Sequence, residues 1–260
     1  MVLFIMIDGA RPDALNAVRC PNLDALRAAG ASSMQAHSVM PSVTLPCHMS
    51  IFHSVPPARH GITTNLFVPM ARPLPGLVEQ ARAAGKRVAF VHNWEPLRDL
   101  SRPEQVVYSY YREPPLNAEY DDAVGAESVR LLRDEHDSFD FVFIYFGSVD
   151  AAGHAYGWMS AEYLGQLQRV DGLLGRVLDA APNDATIVVQ ADHGGHERSH
   201  GTDMPEDMTI PWIAAGPAIR RGHTISAPIG LLDTAPILAR ALEVAAHPAW
   251  EGRVVEEIYL

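Results

Sequence analysis

Three short apolar runs of this chain each lead to an aspartate. Val2-Leu-Phe-Ile-Met-Ile ends at Asp8, Phe141-Val-Phe-Ile-Tyr-Phe-Gly-Ser-Val at Asp150, and Ile187-Val-Val-Gln-Ala at Asp192. Runs this short and this rich in β-branched and aromatic residues read as buried strands of a parallel sheet. In an open α/β sheet the carboxyl ends of the strands form the crevice where ligands bind. The pattern therefore sends three carboxylates to one place. Left alone they would repel one another and raise each other's pKa, so the crevice calls for cations.

The strand candidates are residues 2–7, 87–92, 139–146, 186–191 and 210–215, and stretches of helical period at 21–29, 46–53, 74–84, 119–136, 160–180 and 231–242 alternate with them. This alternation predicts an α/β fold with a mostly parallel central sheet flanked by helices on both faces. A length of 260 residues fits one catalytic domain, residues 1–260, better than two. Residues 93–120, rich in Pro, Arg, Glu and Tyr and without a clear period, are expected to be either a small cap over the sheet or a long surface connection.

A formal net charge of −11 and the absence of any Lys/Arg-rich run argue against a nucleic-acid polymer or an anionic membrane as partner. A small anionic substrate needs local cations to override that field. Cys20 and Cys47 are too few for a disulfide framework and form no Cys-x-x-Cys pair. The apolar N-terminus lacks a basic leader region and is cut short by Asp8, so a cytoplasmic location is expected.

Histidines accompany two of the aspartates. His154 follows Asp150 by four residues, which on a helix sets both on one face. His193 follows Asp192 directly, and Gly194-Gly195 lets the chain turn there; His200 lies seven residues on, close enough to return. Mixed Asp/His sets suit Zn²⁺ best, with manganese or iron as contenders. In Pro41-Ser-Val-Thr-Leu-Pro-Cys-His-Met-Ser-Ile, Pro46 suits the first position of a helix and places Thr44 just ahead of its positive end. Thr44 is then a nucleophile candidate that needs a base or a metal, or simply a helix cap, with Ser42 as a competing hydroxyl. His48, His53 and His60 read as hydrogen-bonded scaffold, and Asp171 as either a supporting partner or a solvated helix charge.

Five segments in order, Val2-Leu-Phe-Ile-Met-Ile-Asp-Gly-Ala-Arg-Pro-Asp, Pro41-Ser-Val-Thr-Leu-Pro-Cys-His, Arg59-His-Gly-Ile-Thr-Thr-Asn, Asp150-Ala-Ala-Gly-His-Ala-Tyr-Gly and Ala191-Asp-His-Gly-Gly-His, resemble the alkaline phosphatase superfamily. The look is nearest to its nucleotide pyrophosphatase/phosphodiesterase branch. That resemblance implies an alkaline phosphatase-like core with two divalent ions, one held by Asp8, Thr44, Asp192 and His193, the other by Asp150, His154 and a final histidine. It further implies that Thr44 takes the phosphoryl group transiently and that Asn65 donates a hydrogen bond to a phosphate oxygen.

The last ligand departs from the branch's pattern, where it comes much further along the chain. Ser-His200-Gly, followed by Glu206-Asp207 and Ile210-Pro211, is similar to the compact ending of ethanolamine-phosphate transferases and phosphonoacetate hydrolases, so His200 is favoured over His196. Sulfatases share the superfamily fold, but Thr44-Leu-Pro-Cys-His lacks their modifiable residue and arginine. The expected activity is hydrolysis of a phosphodiester, with phosphonoacetate hydrolysis, phosphomonoester hydrolysis and metal binding without catalysis as alternatives.

Overall fold

The apolar runs assemble around the first of them. In a computed structural model that describes residues 1–114 and 119–260, the chain runs β1 (Val2–Ile7), α1 (Pro12–Ala17), α2 (Pro21–Ala29), β2 (Ala31–His37), α3 (Thr44–His53), α4 (Pro57–His60), α5 (Leu77–Ala83), β3 (Val88–His92), β4 (Tyr108–Tyr111), α6 (Asp122–Asp134), β5 (Phe141–Phe146), α7 (Ser148–Tyr156), α8 (Ala161–Ala180), β6 (Thr186–Gln190), α9 (Pro205–Met208), β7 (Thr209–Ala215), β8 (His223–Thr224) and α10 (Leu231–Ala241). The eight strands form one sheet in the order β4-β3-β5-β1-β6-β7-β2-β8. Every residue of β1 is buried, as a central strand covered on both faces requires.

Register decides where the aspartates fall. β1 pairs in parallel with β5, Ile7 opposite Phe146, and with β6, Met6 opposite Gln190. The carboxyl ends of the three strands are therefore level. The ladder continues one step further, where Asp8 N donates to Phe146 O at 2.9 Å. β3 and β4 extend the parallel part, whereas β7 runs antiparallel to both β6 and β2. The sheet is thus mostly parallel, with one reversed strand.

Helices cover both faces. α3, α5 and α10 pack together against β1 and β3, while α1, α2, α6 and α7 gather round α8 on the other side. Beneath α3 lies a cluster of rings in which Phe143 has its centroid 5.2 Å from Phe4, 5.1 Å from Phe52 and 4.9 Å from Phe90. Burial of each ring contributes about 1.5–3 kcal/mol. Phe52 belongs to α3, whose first residue is Thr44, so that packing anchors the helix to the sheet.

Four expectations need correction. Asp150 is not the end of a strand: β5 stops at Phe146, Gly147 intervenes, and Asp150 sits in the first turn of α7. Residues 93–120 do not simply cap the sheet or cross the surface, since Tyr108–Tyr111 form its edge strand β4; residues 115–118 of that segment lie outside the described part. Thr44 is the first residue of α3, not a residue ahead of it, and its side chain caps nothing. Asp171 is neither solvated nor near the metal-ligand candidates in role: it is buried, and its carboxylate accepts hydrogen bonds from Asn22 N (3.2 Å), Leu23 N (2.8 Å) and Asn22 Nδ2 (2.9 Å). Those are the first backbone donors of α2, which Cys20 leaves uncapped.

Among the described residues no helix is long and apolar enough to cross a membrane, and Cys20 and Cys47 are buried free thiols. Removing the carboxylate with Asp171→Ala strands one buried and one part-buried N–H group at the start of α2. The expected loss, read by urea denaturation, is about 2–4 kcal/mol, against the ~0.5 kcal/mol or less of a solvated surface charge.

Candidate metal centre

Two clusters of acceptor atoms lie beyond the carboxyl ends of β1, β5 and β6. The first is wholly buried and consists of Asp8, Asp192 and His193. Each side chain spends one atom on the scaffold and leaves another free. Asp8 Oδ2 accepts the hydroxyl of Tyr145. Asp192 Oδ1 accepts from Gly9 N at 3.3 Å and His193 N at 3.0 Å. His193 Nδ1 lies 2.8 Å from Gly194 O; a carbonyl can only accept, so Nδ1 carries the proton and Nε2 is a lone pair.

The free atoms face one another. His193 Nε2 is 3.3 Å from Asp8 Oδ1 and 3.4 Å from Asp192 Oδ2, and neither of those oxygens has a hydrogen-bond partner. Thr44 Oγ1 completes the group, 3.2 Å from the same Nε2.

The second cluster is Asp150, His154 and His200. His154 Nδ1 donates to Arg198 O at 3.0 Å and His200 Nδ1 to Ser42 O at 2.8 Å, which leaves both Nε2 atoms as lone pairs. They lie 3.2 Å apart, and 3.5 and 3.6 Å from Asp150 Oδ1, itself without a partner. The two clusters adjoin, because the rings of His193 and His200 stack at 3.8 Å with 12° between their planes.

Backbone chemistry makes these approaches possible. Gly9, at φ 69°, turns the chain so tightly that a Cβ there would lie 3.0 Å from Asp150 Cα. Its carbonyl accepts from Trp158 Nε1 and Tyr163 OH, both at 2.9 Å, which ties the end of β1 to the segment after α7. At Gly194 a Cβ would fall 2.0 Å from Glu206 O, so only glycine lets residues 205–208 back the turn after Asp192.

Asp207 then shapes the loop that returns His200. Its Oδ1 accepts from His196 Nδ1 at 2.7 Å and its Oδ2 from Thr202 N at 2.9 Å and Thr202 Oγ1 at 2.8 Å. His196, the alternative final ligand, spends its Nδ1 on that bond and belongs to neither cluster. Ser42 is likewise committed, its hydroxyl donating to Thr202 O at 2.8 Å.

Electrostatics follow from burial. Asp8 is held well above the usual carboxylate range by burial and then by the charges of Asp192 and Asp150. Burial raises Asp150 as well, and pushes Asp192 up to about 7, with the charge of Asp150 adding to it. His200 is pushed down to about 3 by burial and by neighbouring His193, so it is neutral at physiological pH. In the scaffold, His48 is also driven to about 3 by burial while its Nδ1 donates to Thr44 O at 2.8 Å. His60 Nδ1 receives Ile62 N at 3.1 Å, and its Nε2 meets Ser50 Oγ at 3.0 Å, steadying the turn that leads to Asn65. Asn65 Oδ1 accepts from Leu45 N at 2.9 Å, beside Thr44, so its amide nitrogen is left to donate.

Three acceptors in contact with no donor between them are repulsive, and here it happens twice. Carboxylate oxygens and imidazole lone pairs within 4.8 Å of one another suit a divalent cation, and the mixed oxygen and nitrogen set suits the zinc class. The residues present therefore fit two ions. The sequence gives no role to Tyr145 or Asp121, and shows Asp207 only as half of the acidic pair that follows His200. Tyr145 left a signal, a polar-tipped residue in an otherwise apolar strand; the two buried aspartates look in sequence like surface charges.

The sequence model of the family described as Type I phosphodiesterase / nucleotide pyrophosphatase matches residues 2–207. The chain belongs to that family. Ectonucleotide pyrophosphatase/phosphodiesterase family member 3 of Rattus norvegicus is 28% identical over 232 residues, covering 80% of this chain and 26% of the relative. The chain spans between about a quarter and a half of the length of such curated relatives. Among solved structures, inactive murine ectonucleotide pyrophosphatase/phosphodiesterase 5 in complex with AMP superposes with a TM-score of 0.77 at 18% identity, covering 95% of this chain and 96% of that one. A phosphonate monoester hydrolase from Silicibacter pomeroyi gives 0.76 at 19% identity over 98% and 75%. These likenesses show the shared alkaline phosphatase-like fold.

For this phosphodiesterase-family chain the raised carboxylates set a pH dependence. Below about 7 Asp192 holds a proton in the metal-free protein, which an incoming ion must displace, whereas His200 at about 3 does not compete. Displacing one proton costs about 1.4 kcal/mol per pH unit below that pKa, so about 2 kcal/mol at pH 5.5, or about 4–8 °C in Tm for a chain of this size. The rise in Tm on adding Zn²⁺ to chelator-treated protein is expected to be smaller by that amount at pH 5.5 than at pH 8. An equal rise at both would show that these carboxylates do not receive the ion.

Proposed function

We propose that the chain is a two-metal phosphodiesterase that works through a transient phosphothreonine at Thr44. One observation carries this reading: Thr44 Oγ1 lies against the acceptor cluster, 3.2 Å from His193 Nε2, at the first position of α3. Asp8, Thr44, Asp192 and His193 would hold one ion, and Asp150, His154 and His200 the other, with zinc as the best match and manganese or iron next. When bound, the pair would supply a lowered pKa for the Thr44 hydroxyl, neutralisation of the phosphoryl oxygens and stabilisation of the leaving oxygen.

The chain's own groups do the rest. Thr44 Oγ1, its proton released to solvent, forms its bond to phosphorus as the bond to the leaving-group oxygen breaks; water later cleaves the bond between Thr44 and phosphorus, returning a proton to Oγ1. Tyr145 keeps Asp8 oriented through its hydroxyl. Asn65, its carbonyl oxygen fixed by Leu45 N, presents its amide to a non-bridging phosphate oxygen. The helix dipole of α3 favours negative charge at Thr44.

A small phosphoryl compound is the proposed substrate. The murine relative, inactive as its threonine-to-alanine form and binding AMP, supports both a threonine nucleophile and a ligand of that class. Thr44→Ala is expected to keep two ions per chain by elemental analysis while turnover of bis-p-nitrophenyl phosphate falls by ~10³-fold or more. A variant retaining turnover within about tenfold would contradict the assignment of Thr44. Wild-type preference for p-nitrophenyl phosphate or a phosphonate ester would move the substrate and leave the nucleophile in place.

A further inference from the structure

Asp121 is buried at the junction of the 93–120 segment and α6, and its carboxylate is fully engaged. Oδ1 accepts from Gly147 N at 3.0 Å and from Asn93 Nδ2 at 2.8 Å. Oδ2 accepts from Ser148 N at 3.1 Å and from the Ser148 hydroxyl, which in turn receives Gln166 Nε2 at 2.8 Å. Asn93 Nδ2 also donates to Tyr120 O at 2.9 Å. One carboxylate thus joins both ends of the 93–120 segment to Gly147 and Ser148.

Gly147 and Ser148 open α7, the helix that carries Asp150 in its first turn and His154 one turn later. None of its side chains caps that end, so its leading N–H groups depend on Asp121. A carboxylate there satisfies otherwise orphaned donors and opposes the positive end of the helix dipole. Burying a charge is costly unless it is fully hydrogen-bonded, and this one is spent on a helix whose next residues face the second acceptor cluster.

We infer that Asp121 is the positioning residue of the second metal position, setting the placement of Asp150 and His154 through the start of α7. The inference rests on reading Asp150, His154 and His200 as ligands of one ion. Groups that orient metal ligands from outside the coordination sphere typically govern affinity by about 10–100-fold. A role in folding alone would weaken both metal positions together with thermal stability.

Calorimetric titration of chelator-treated, full-length protein with Zn²⁺ separates the two. For Asp121→Asn we expect one of two binding steps to weaken by about 10–100-fold, with the other step unchanged within about threefold. Ser148→Ala, which removes one of the four bonds and keeps the carboxylate, is expected to weaken the same step by a smaller factor, and it decides the matter if Asp121→Asn does not fold. Equal weakening of both steps, or no weakening of either, would overturn the role assigned to Asp121. A wild-type protein that takes up only one ion would overturn the two-ion reading and this inference with it.

Discussion

Carboxyl oxygens and imidazole lone pairs that face one another, with no donor from the scaffold between them, organise this molecule. In each cluster the scaffold has already used the atoms that could relieve the conflict: Nδ1 of His154, His193 and His200 is bound to a backbone carbonyl, and Oδ1 of Asp192 and Oδ2 of Asp8 are bound to donors. What is left pointing inward is acceptor only. A fold that buries such a set spends stability to do so, and the level strand ends, the glycine turns and the packed rings beneath α3 all serve to hold it. Divalent cations held there would offset the repulsion.

The scaffold is specific to that task. Parallel pairing of β1 with β5 and β6 brings Asp8, Asp150 and Asp192 together, but three different devices finish the work: a continued ladder for Asp8, a new helix for Asp150 and a glycine turn for Asp192. Buried aspartates outside the clusters then hold the elements that carry the cluster residues. Asp121 anchors the start of α7, and Asp207 closes the loop that returns His200. Several donors offset the desolvation of each to different degrees: at Asp121 burial still holds the carboxyl above the usual range, whereas for Asp207 the bonds from His196 and Thr202 outweigh burial and hold the group below it.

Much of this was legible in the amino-acid sequence, and the limits have physical causes. The strands β1, β3, β5, β6 and β7 announce themselves because buried strands must be apolar. β2, Ala-Ser-Ser-Met-Gln-Ala-His, does not, since small and polar residues suffice where it pairs near the sheet's edge. The direction of β7 leaves no trace in side-chain pattern, because parallel and antiparallel neighbours can bury the same residues. Spacing pairs Asp150 with His154, yet the apolar run into Asp150 has the composition of strand on both sides of Gly147, where β5 gives way to α7. The sequence favours His200 over His196 only through the resemblance of its ending, because the loop that separates them is shaped by Asp207, a contact that ten intervening residues hide from any local reading. Buried acids such as Asp121 and Asp171 were the least visible, because a charged residue on a helix is ordinarily a solvated one.

The most direct measurement is anomalous diffraction at the zinc edge from crystals grown with Zn²⁺. Two peaks are predicted, one at about 2.0–2.2 Å from Asp8, Asp192 and His193 beside Thr44 Oγ1, the other at about the same distance from Asp150, His154 and His200. A single peak, or one ligated by His196 in place of His200, would contradict the account.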